Sequence, residues 1–310
     1  MSLDGTGYFS SDQVHCKNCC KKNHRDGRET YYHQMLSGVI VHPEKKAVIP
    51  ICPEPILKQD GVKKNDCETN ASKRLVKEFR KDHPKLKCIV VEDALYANYP
   101  HLKLLADNNL RFIIGVKSAD HEYLFKQIAS SSEIIIIKYV DEAGVMHRYK
   151  YLNNAGLNKS HPDNLVNFLE YIQIDKKGKK QYFTWITDLE LRKDNLGLIM
   201  KAGRARWKIE NETFNTLKNQ GYQFDHNFGH GNENLSANMA FLMMMAFLID
   251  QLQLIGSKVF QAALVKAKSK VRLWFKYRSR FCDWFILSWN DLLLSIAYKP
   301  KGQVLVPDTG

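Results

Sequence analysis

Three acidic residues, Asp4, Asp93 and Glu210, stand where this chain could use them for chemistry. Asp4 opens the run Asp4-Gly5-Thr6-Gly7, and Asp93 follows the apolar run Cys88-Ile89-Val90-Val91, at the carboxyl end of an expected buried strand. Ligands and catalytic groups gather at such strand ends in open α/β sheets. Glu210 belongs to an expected helix. At about 100° per residue, that helix places Trp207, Phe214 and Leu217 on one face, with Glu210 inside the stripe and Glu212 turned away. An ionised carboxylate in an apolar stripe is costly unless it is paired or bound to a metal. Two or three converging carboxylates can hold a pair of Mg²⁺ ions about 4 Å apart, one activating an attacking oxygen and the other stabilising the leaving oxygen of a phosphodiester. Their hard oxygens suit Mg²⁺ and equally Mn²⁺. Plainer roles exist for each. Asp93 can cap a helix or form a turn, Asp4 can be a turn acid, and Glu210 can pair with Arg206 four residues before it.

The composition admits such a role. The chain has 310 residues, 46 Lys and Arg against 33 Asp and Glu, and a net charge of +13. A balance this basic favours a polyanion, nucleic acid before an anionic membrane surface, with a basic protein lacking such a partner as the plain alternative. With 44% hydrophobic residues the chain can bury a core and is not disordered. The cysteines number seven, an odd count, and no basic-then-apolar leader precedes them, which points to free thiols in the reducing cytoplasm. The apolar run 237–249 is expected to be a buried core helix, too short for a bilayer and closed by Asp250.

Elements that would position the acids follow from periodicity. Strands are expected at 3–10, 29–41 and 46–52, with Pro43 and Glu44 in a turn and Pro50, Pro53 and Pro55 breaking the pattern. A helix over 66–81 shows Ala71, Leu75 and Phe79 on one face. Strands at 87–91 and 111–116 flank a helix from about 97 to 107. From 118 the texture becomes β-rich, with strands at 134–137, 145–152 and 165–174 and turns at 142–144, 153–156 and 176–178. A strand at 182–187, helices at 206–219 and 234–254 and a basic helical tail at 258–280 complete the chain. This is a mixed α/β layout. It divides as 1–117 (first part of the core), 118–181 (β-rich insertion), 182–256 (second part, with the Glu210 helix) and 257–310 (basic helical tail).

Several segments together resemble the bacterial insertion-sequence DDE transposases with a Tyr-Arg-Glu-Lys signature. They are Asp4-Gly5-Thr6-Gly7, Val91-Glu92-Asp93-Ala94-Leu95-Tyr96-Ala97, and Arg206-Trp207-Lys208-Ile209-Glu210 with Phe214, Leu217 and Lys218. Asp66-Cys67-Glu68 with Ala71 and Arg74, and Trp185-Ile186-Thr187-Asp188, also look like the family. The likeness runs from residue 3 to about 245. It implies a ribonuclease-H-like mixed sheet flanked by helices, interrupted by a β-rich insertion before the Glu-bearing helix. It implies that Asp4, Asp93 and Glu210 are the catalytic and metal-binding acids for two Mg²⁺ ions, and that Arg206 and Lys218 contact DNA phosphates. The implied reaction is cleavage at transposon ends, then attack of the freed 3′-OH on target DNA, with a homodimer on the paired ends and no membrane partner. A DNA-binding remnant without catalysis, and a nuclease that does not join strands, are the alternative readings. The pattern is broken at Gly203, where the signature Tyr belongs, and by one extra residue between Glu210 and Lys218. The helical region that usually precedes the first strand is not in this sequence, so the chain reads as N-terminally truncated.

Other residues could serve as ligands. His15, Cys16, Cys19, Cys20 and His24 form a compact group with one Cys-x-x-Cys, a possible Zn²⁺ site without an evident second ligand pair. His226 and His230 flank a glycine-bearing loop and read as loop residues. Tyr96 and Trp207 could stack on a splayed base, core packing being the plainer reading for Trp207.

Overall fold

The computed structural model describes residues 1–58, 66–231 and 233–298, and a short strand at 306–307. The chain begins with β1 (Ser2–Ser11), β2 (Cys20–Asn23), β3 (Glu29–His42), β4 (Lys45–Pro50) and β5 (Glu54–Ile56). Then come α1 (Glu68–Asp82), β6 (Ile89–Glu92), α2 (Tyr99–Asp107) and β7 (Arg111–Gly115). These are followed by α3 (Glu122–Ser130), β8 (Ile135–Val140), β9 (Met146–Asn158), β10 (His161–Ile174) and β11 (Lys180–Thr187). One helical run holds α4 (Leu196–Arg204), a 3₁₀ turn (Ala205–Trp207), a π-helical turn (Ile209–Phe214) and α5 (Asn215–Asn219). After it lie α6 (Leu235–Gly256), α7 (Lys258–Ala267), α8 (Lys270–Asp283), β12 (Trp284–Phe285), α9 (Trp289–Ala297) and β13 (Val306–Pro307).

Eleven strands form one mixed sheet in the order β2-β3-β1-β6-β7-β11-β10-β9-β8, with β4 and β5 also pairing on β3. β1 and β3 are antiparallel, while β6 lies parallel to both β1 and β7. The sheet is covered on both faces, so its central strands are apolar on both sides. Leu3, Val90, Phe112 and Ile114 pack with Leu75, Phe79, Leu102 and Leu105 of α1 and α2. Their neighbours Val91 and Ile113 point the other way, onto Ile199 and Met200 of α4. The expected mixed α/β sheet flanked by helices is what the chain forms.

Several elements differ from expectation for identifiable reasons. The strands of 118–181 extend the central sheet through β11, which pairs with β7. The expected turn at 153–156 lies within β9: Asn154 takes a left-handed φ of 58° beside an irregularity in the β9–β10 register. Helix α3 was missed because it is short, with only Leu124 and Ile128 fully buried. The tail breaks into α7, α8 and α9, each started by a serine cap (Ser257, Ser269, Ser288) that accepts a backbone N–H. The last residues of the 257–310 tail, apart from β13, lie outside the described residues.

Helix α6 spans nearly the expected 234–254 but is less buried than expected. Asp250, which closes the apolar run 237–249, turns its carboxyl inward and accepts the Tyr222 hydroxyl at 2.5 Å. Ala240, Met244 and Phe247 face the core, and Gln251 accepts the Val48 N–H of β4 at 3.2 Å. Leu242, Met245, Ile249, Leu252 and Ile255 stay exposed. Leu235–Gly256 has the length and apolarity to cross a bilayer, yet its inner face is seated on the sheet.

Candidate active site

The register of the sheet sets the two aspartates side by side. Ser2 of β1 pairs with Val91 of the parallel β6. Two residues beyond this pair stand Asp4, on β1, and Asp93, one residue past the end of β6, where neighbouring strands run about 4.8 Å apart. Asp4 emerges on the face that carries the Glu210 run, since side chains two apart along a strand share a face, and Asp93 lines the cleft with Arg206. Ser2 donates to the Arg206 carbonyl on that face at 3.1 Å, and Val91 packs there in the apolar cluster with α4.

Arg206 joins the strand to the helical run. Its Nη1 lies 3.3 Å from Asp4 Oδ2 and its Nη2 lies 2.8 Å from Glu210 Oε1. The guanidinium therefore donates to a carboxylate on the first strand and to another one helical turn along. Burial pushes the Asp4 carboxyl up to about 6, against the pull of Arg206, with Glu210 adding to the rise. The Gly5 N–H, which donates to Asp4 at 2.9 Å, pulls it down, and Glu68 adds a smaller push upward.

Glu210 does not lie within a buried stripe as expected. Its side chain is 49% exposed, and Trp207 is 53% exposed. The expectation assumed uniform turns. The run instead tightens at Ala205–Trp207 and widens at Ile209–Phe214, which changes the angle between successive side chains. Ile209, Thr213, Phe214, Thr216 and Leu217 become the buried set, and Glu210 turns towards Arg206 and Asp4.

Asp93 serves its plainer role as well. It caps the 3₁₀ turn Ala94–Tyr96 by accepting the Leu95 N–H at 3.0 Å. Asp93 and Arg206 line one cleft of about 400 Å³, whose walls include Lys117, Phe183, Trp185, Arg204 and Trp207. Behind it, Glu92 is buried and hydrogen-bonded to His101 at 2.7 Å. Burial holds Glu92 above the usual carboxylate range, against the imidazole.

A fourth carboxylate, Glu68, joins these acids, although the sequence alone assigns it no role. It is the first residue of α1. Its Oε1 lies only 2.1 Å from where a Cβ on Gly5 would stand, so Gly5 makes room for it. Burial, then the nearby Asp93 charge, raises its pKa. Arg74 anchors this end of the helix, reaching buried Asp66 at 2.5 Å and Glu54 at 2.5 Å, which accounts for the Asp66-to-Arg74 pattern. Tyr96 is buried close enough to Glu92, Glu68, Asp93 and Asp4 that, after burial itself, each opposes its ionisation.

The other expected residues separate from this group. Lys218 pairs with Asp225 at 3.5 Å, and among the described residues no hydrogen bond or ion pair joins it to the carboxylates. The stacking roles are exchanged: Tyr96 is core at 2% exposure, while Trp207 faces solvent at the cleft. Gly203, the departure from the signature, has a physical reason. A Cβ there would meet Trp185 Cε2 at 2.7 Å, and that indole is stacked on Phe183 with ring centroids 5.5 Å apart. Of the Cys/His group, His15 packs on Tyr31, Cys20 donates to the Ile56 carbonyl and His24 bonds Thr30. Only Cys16 and Cys19 stay together.

The family model for a transposase DDE domain matches residues 16–248, a span that holds Asp93 and Glu210 and starts after Asp4. No curated protein matches the chain. The match extends over most of the sequence and agrees with the mixed sheet flanked by helices. The chain belongs to the transposase DDE-domain family, which acts on DNA in transposition and uses divalent metal.

Proposed function

We propose that this chain cuts DNA at the ends of an insertion sequence and joins the freed 3′-OH to target DNA, using Mg²⁺ held by Asp4, Asp93 and Glu210. The observation that carries the reading is the Arg206 guanidinium shared between Asp4 and Glu210, beside a cleft that Asp93 lines. The donor set suits hard divalent ions: carboxylate oxygens, partly withdrawn from water, with a single guanidinium between two of them. Two Mg²⁺ ions, or Mn²⁺ in their place, would activate the attacking oxygen and stabilise the leaving one. Asp4, Asp93 and Glu210 would supply the oxygen ligands, with Glu68 adding negative charge behind them. Arg206 would turn from the carboxylates to a DNA phosphate once cations take its place, a bidentate contact for which guanidinium is suited. Arg204 and Lys117 on the cleft wall would hold the backbone, and exposed Trp207 would stack on a splayed base. Lys218 would reach phosphate only by leaving Asp225.

Mg²⁺-dependent nicking of supercoiled plasmid tests this reading. Nicking by the wild type that is lost in Glu210→Gln supports it, and joined products distinguish a transposase from a plain nuclease. DNA binding without nicking in either protein favours the non-catalytic remnant.

A further inference from the structure

Cys16 and Cys19 meet two histidines that are remote in sequence, His33 on β3 and His230 in the loop before α6. One ligand atom from each of the four lies within 4.8 Å of every other. The individual separations are informative. The two Sγ atoms are 3.7 Å apart. His33 Nε2 is 3.4 Å from Cys16 Sγ and 3.3 Å from Cys19 Sγ. His230 Nδ1 is 3.3 Å from His33 Nε2 and 3.9 Å from Cys19 Sγ. A tetrahedron built on Zn–S of about 2.3 Å and Zn–N of about 2.05 Å requires edges of about 3.8 Å for S···S, 3.5 Å for S···N and 3.3 Å for N···N. Five edges fall within about 0.4 Å of these values, and the sixth, between Cys16 and His230, lies within 4.8 Å. The sulfurs are also far beyond the roughly 2.05 Å of a disulfide.

Hydrogen bonding alone accounts poorly for the cluster. Neutral imidazole has one ring N–H, and a thiol is a weak donor, yet His33 Nε2 has three close neighbours. No carboxylate is among the four. The opposite ring nitrogens, His33 Nδ1 and His230 Nε2, are buried without a hydrogen-bond partner among the described residues. Both rings are therefore held by the cluster and by the aromatic rings around them: Tyr8 stacks on His33 at 5.7 Å, and Phe9 meets His230 edge-on at 4.4 Å.

We propose that Cys16, Cys19, His33 and His230 bind one structural Zn²⁺ ion as a closed Cys₂His₂ site. All four positions are filled by protein, which leaves none for water or substrate. His33 pairs in register with Phe9 on β1, whereas Asp4 pairs with Ser37. The ion thus sits roughly 13 Å along β3 from the carboxylate end, at about 3.3 Å per residue. Its work is to tie the loop after β1 to the segment that leaves the Glu210 run and enters α6. Asn18 supports the same junction, donating to the Glu233 carbonyl at 3.2 Å and to Asn234 Oδ1 at 2.9 Å.

The test is metal analysis of the full chain purified under reducing conditions without added metal. One zinc per chain is expected, retained in a control with exposed Cys52→Ser and Cys282→Ser, and falling at least tenfold in Cys16→Ser/Cys19→Ser. Should the double variant not fold, wild-type protein stripped of metal is titrated with Co²⁺. A tetrahedral thiolate–cobalt absorption spectrum saturating at one equivalent, and abolished by Zn²⁺, upholds the site. Undiminished zinc in a folded Cys16→Ser/Cys19→Ser protein overturns it. So does folded, reduced wild type that shows neither zinc nor the cobalt spectrum.

Discussion

Arg206 donates to Asp4 at 3.3 Å and to Glu210 at 2.8 Å, so one guanidinium joins the first strand to a late helical turn. A planar fork can meet two carboxylates at once, whereas a lysine ammonium is a point charge. Arg206→Lys is expected to keep the net charge but lose one of the contacts. DNA cleavage should then fall on the order of 10²-fold, as misplacing a positioned group by about 1 Å does. Single-turnover cleavage of a plasmid checks this; wild-type rates in Arg206→Lys would remove Arg206 from the account.

Divalent-ion binding should depend on pH through Asp4, whose carboxyl is pushed up to about 6 by burial. A folded-state pKa above the usual carboxylate value means that the proton is held more tightly in the folded chain. The contribution of Asp4 to the stability of the metal-free protein is therefore fully present below about pH 4 and is lost as pH rises through about 6. A cation must displace that proton below about pH 6, so its affinity should drop roughly tenfold per pH unit there. Mn²⁺ titrations at pH 5, 6 and 7 measure the slope, and Asp4→Asn should flatten it. A pH-independent affinity in the wild type would contradict the assignment.

Gly203 is expected to resist substitution although it stands in the helical run, where alanine is ordinarily favoured. The new Cβ would lie 2.7 Å from an indole that is stacked on Phe183. Overpacking of this kind costs about 1–3 kcal/mol. Urea denaturation of Gly203→Ala provides the measurement, and a stabilised variant would show that Trp185 moves aside freely.

The Glu92–His101 pair is fully buried beside Asp93, with Glu92 Oε1 and His101 Nδ1 lacking partners among the described residues. His101→Ala leaves a buried carboxyl without its partner and should cost about 3–5 kcal/mol. Replacing both residues by leucines should cost much less, since burying the polar pair carries its own desolvation penalty. Melts of the single and double variants separate these effects.

Much of this arrangement was legible in the residues. Alternating and continuous apolar runs mark β1, β3, β6 and β7, and with them Asp4 on the first strand and Asp93 at the carboxyl end of β6. Periodicity cannot show that the Glu210 run changes pitch, so the expected buried face is displaced and Trp207, expected in the core, is exposed. Glu68 was visible only as part of a pattern, because its closeness to Gly5 depends on how α1 meets β1. Cys16 and Cys19 announced a ligand pair, but His33 and His230 come from distant elements and had no spacing to betray them. Gly203 is explained only by Trp185, which β11 brings from outside the local sequence.

The central claim is that Asp4, Asp93 and Glu210 jointly hold divalent ions, and anomalous scattering from Mn²⁺-soaked crystals of the protein tests it most directly. A manganese peak within coordination distance of the Asp4 and Asp93 carboxylates, with Glu210 released from Arg206 towards it, is the predicted result. Manganese bound only elsewhere, with Arg206 still joining Asp4 to Glu210 at saturating metal, would contradict the account.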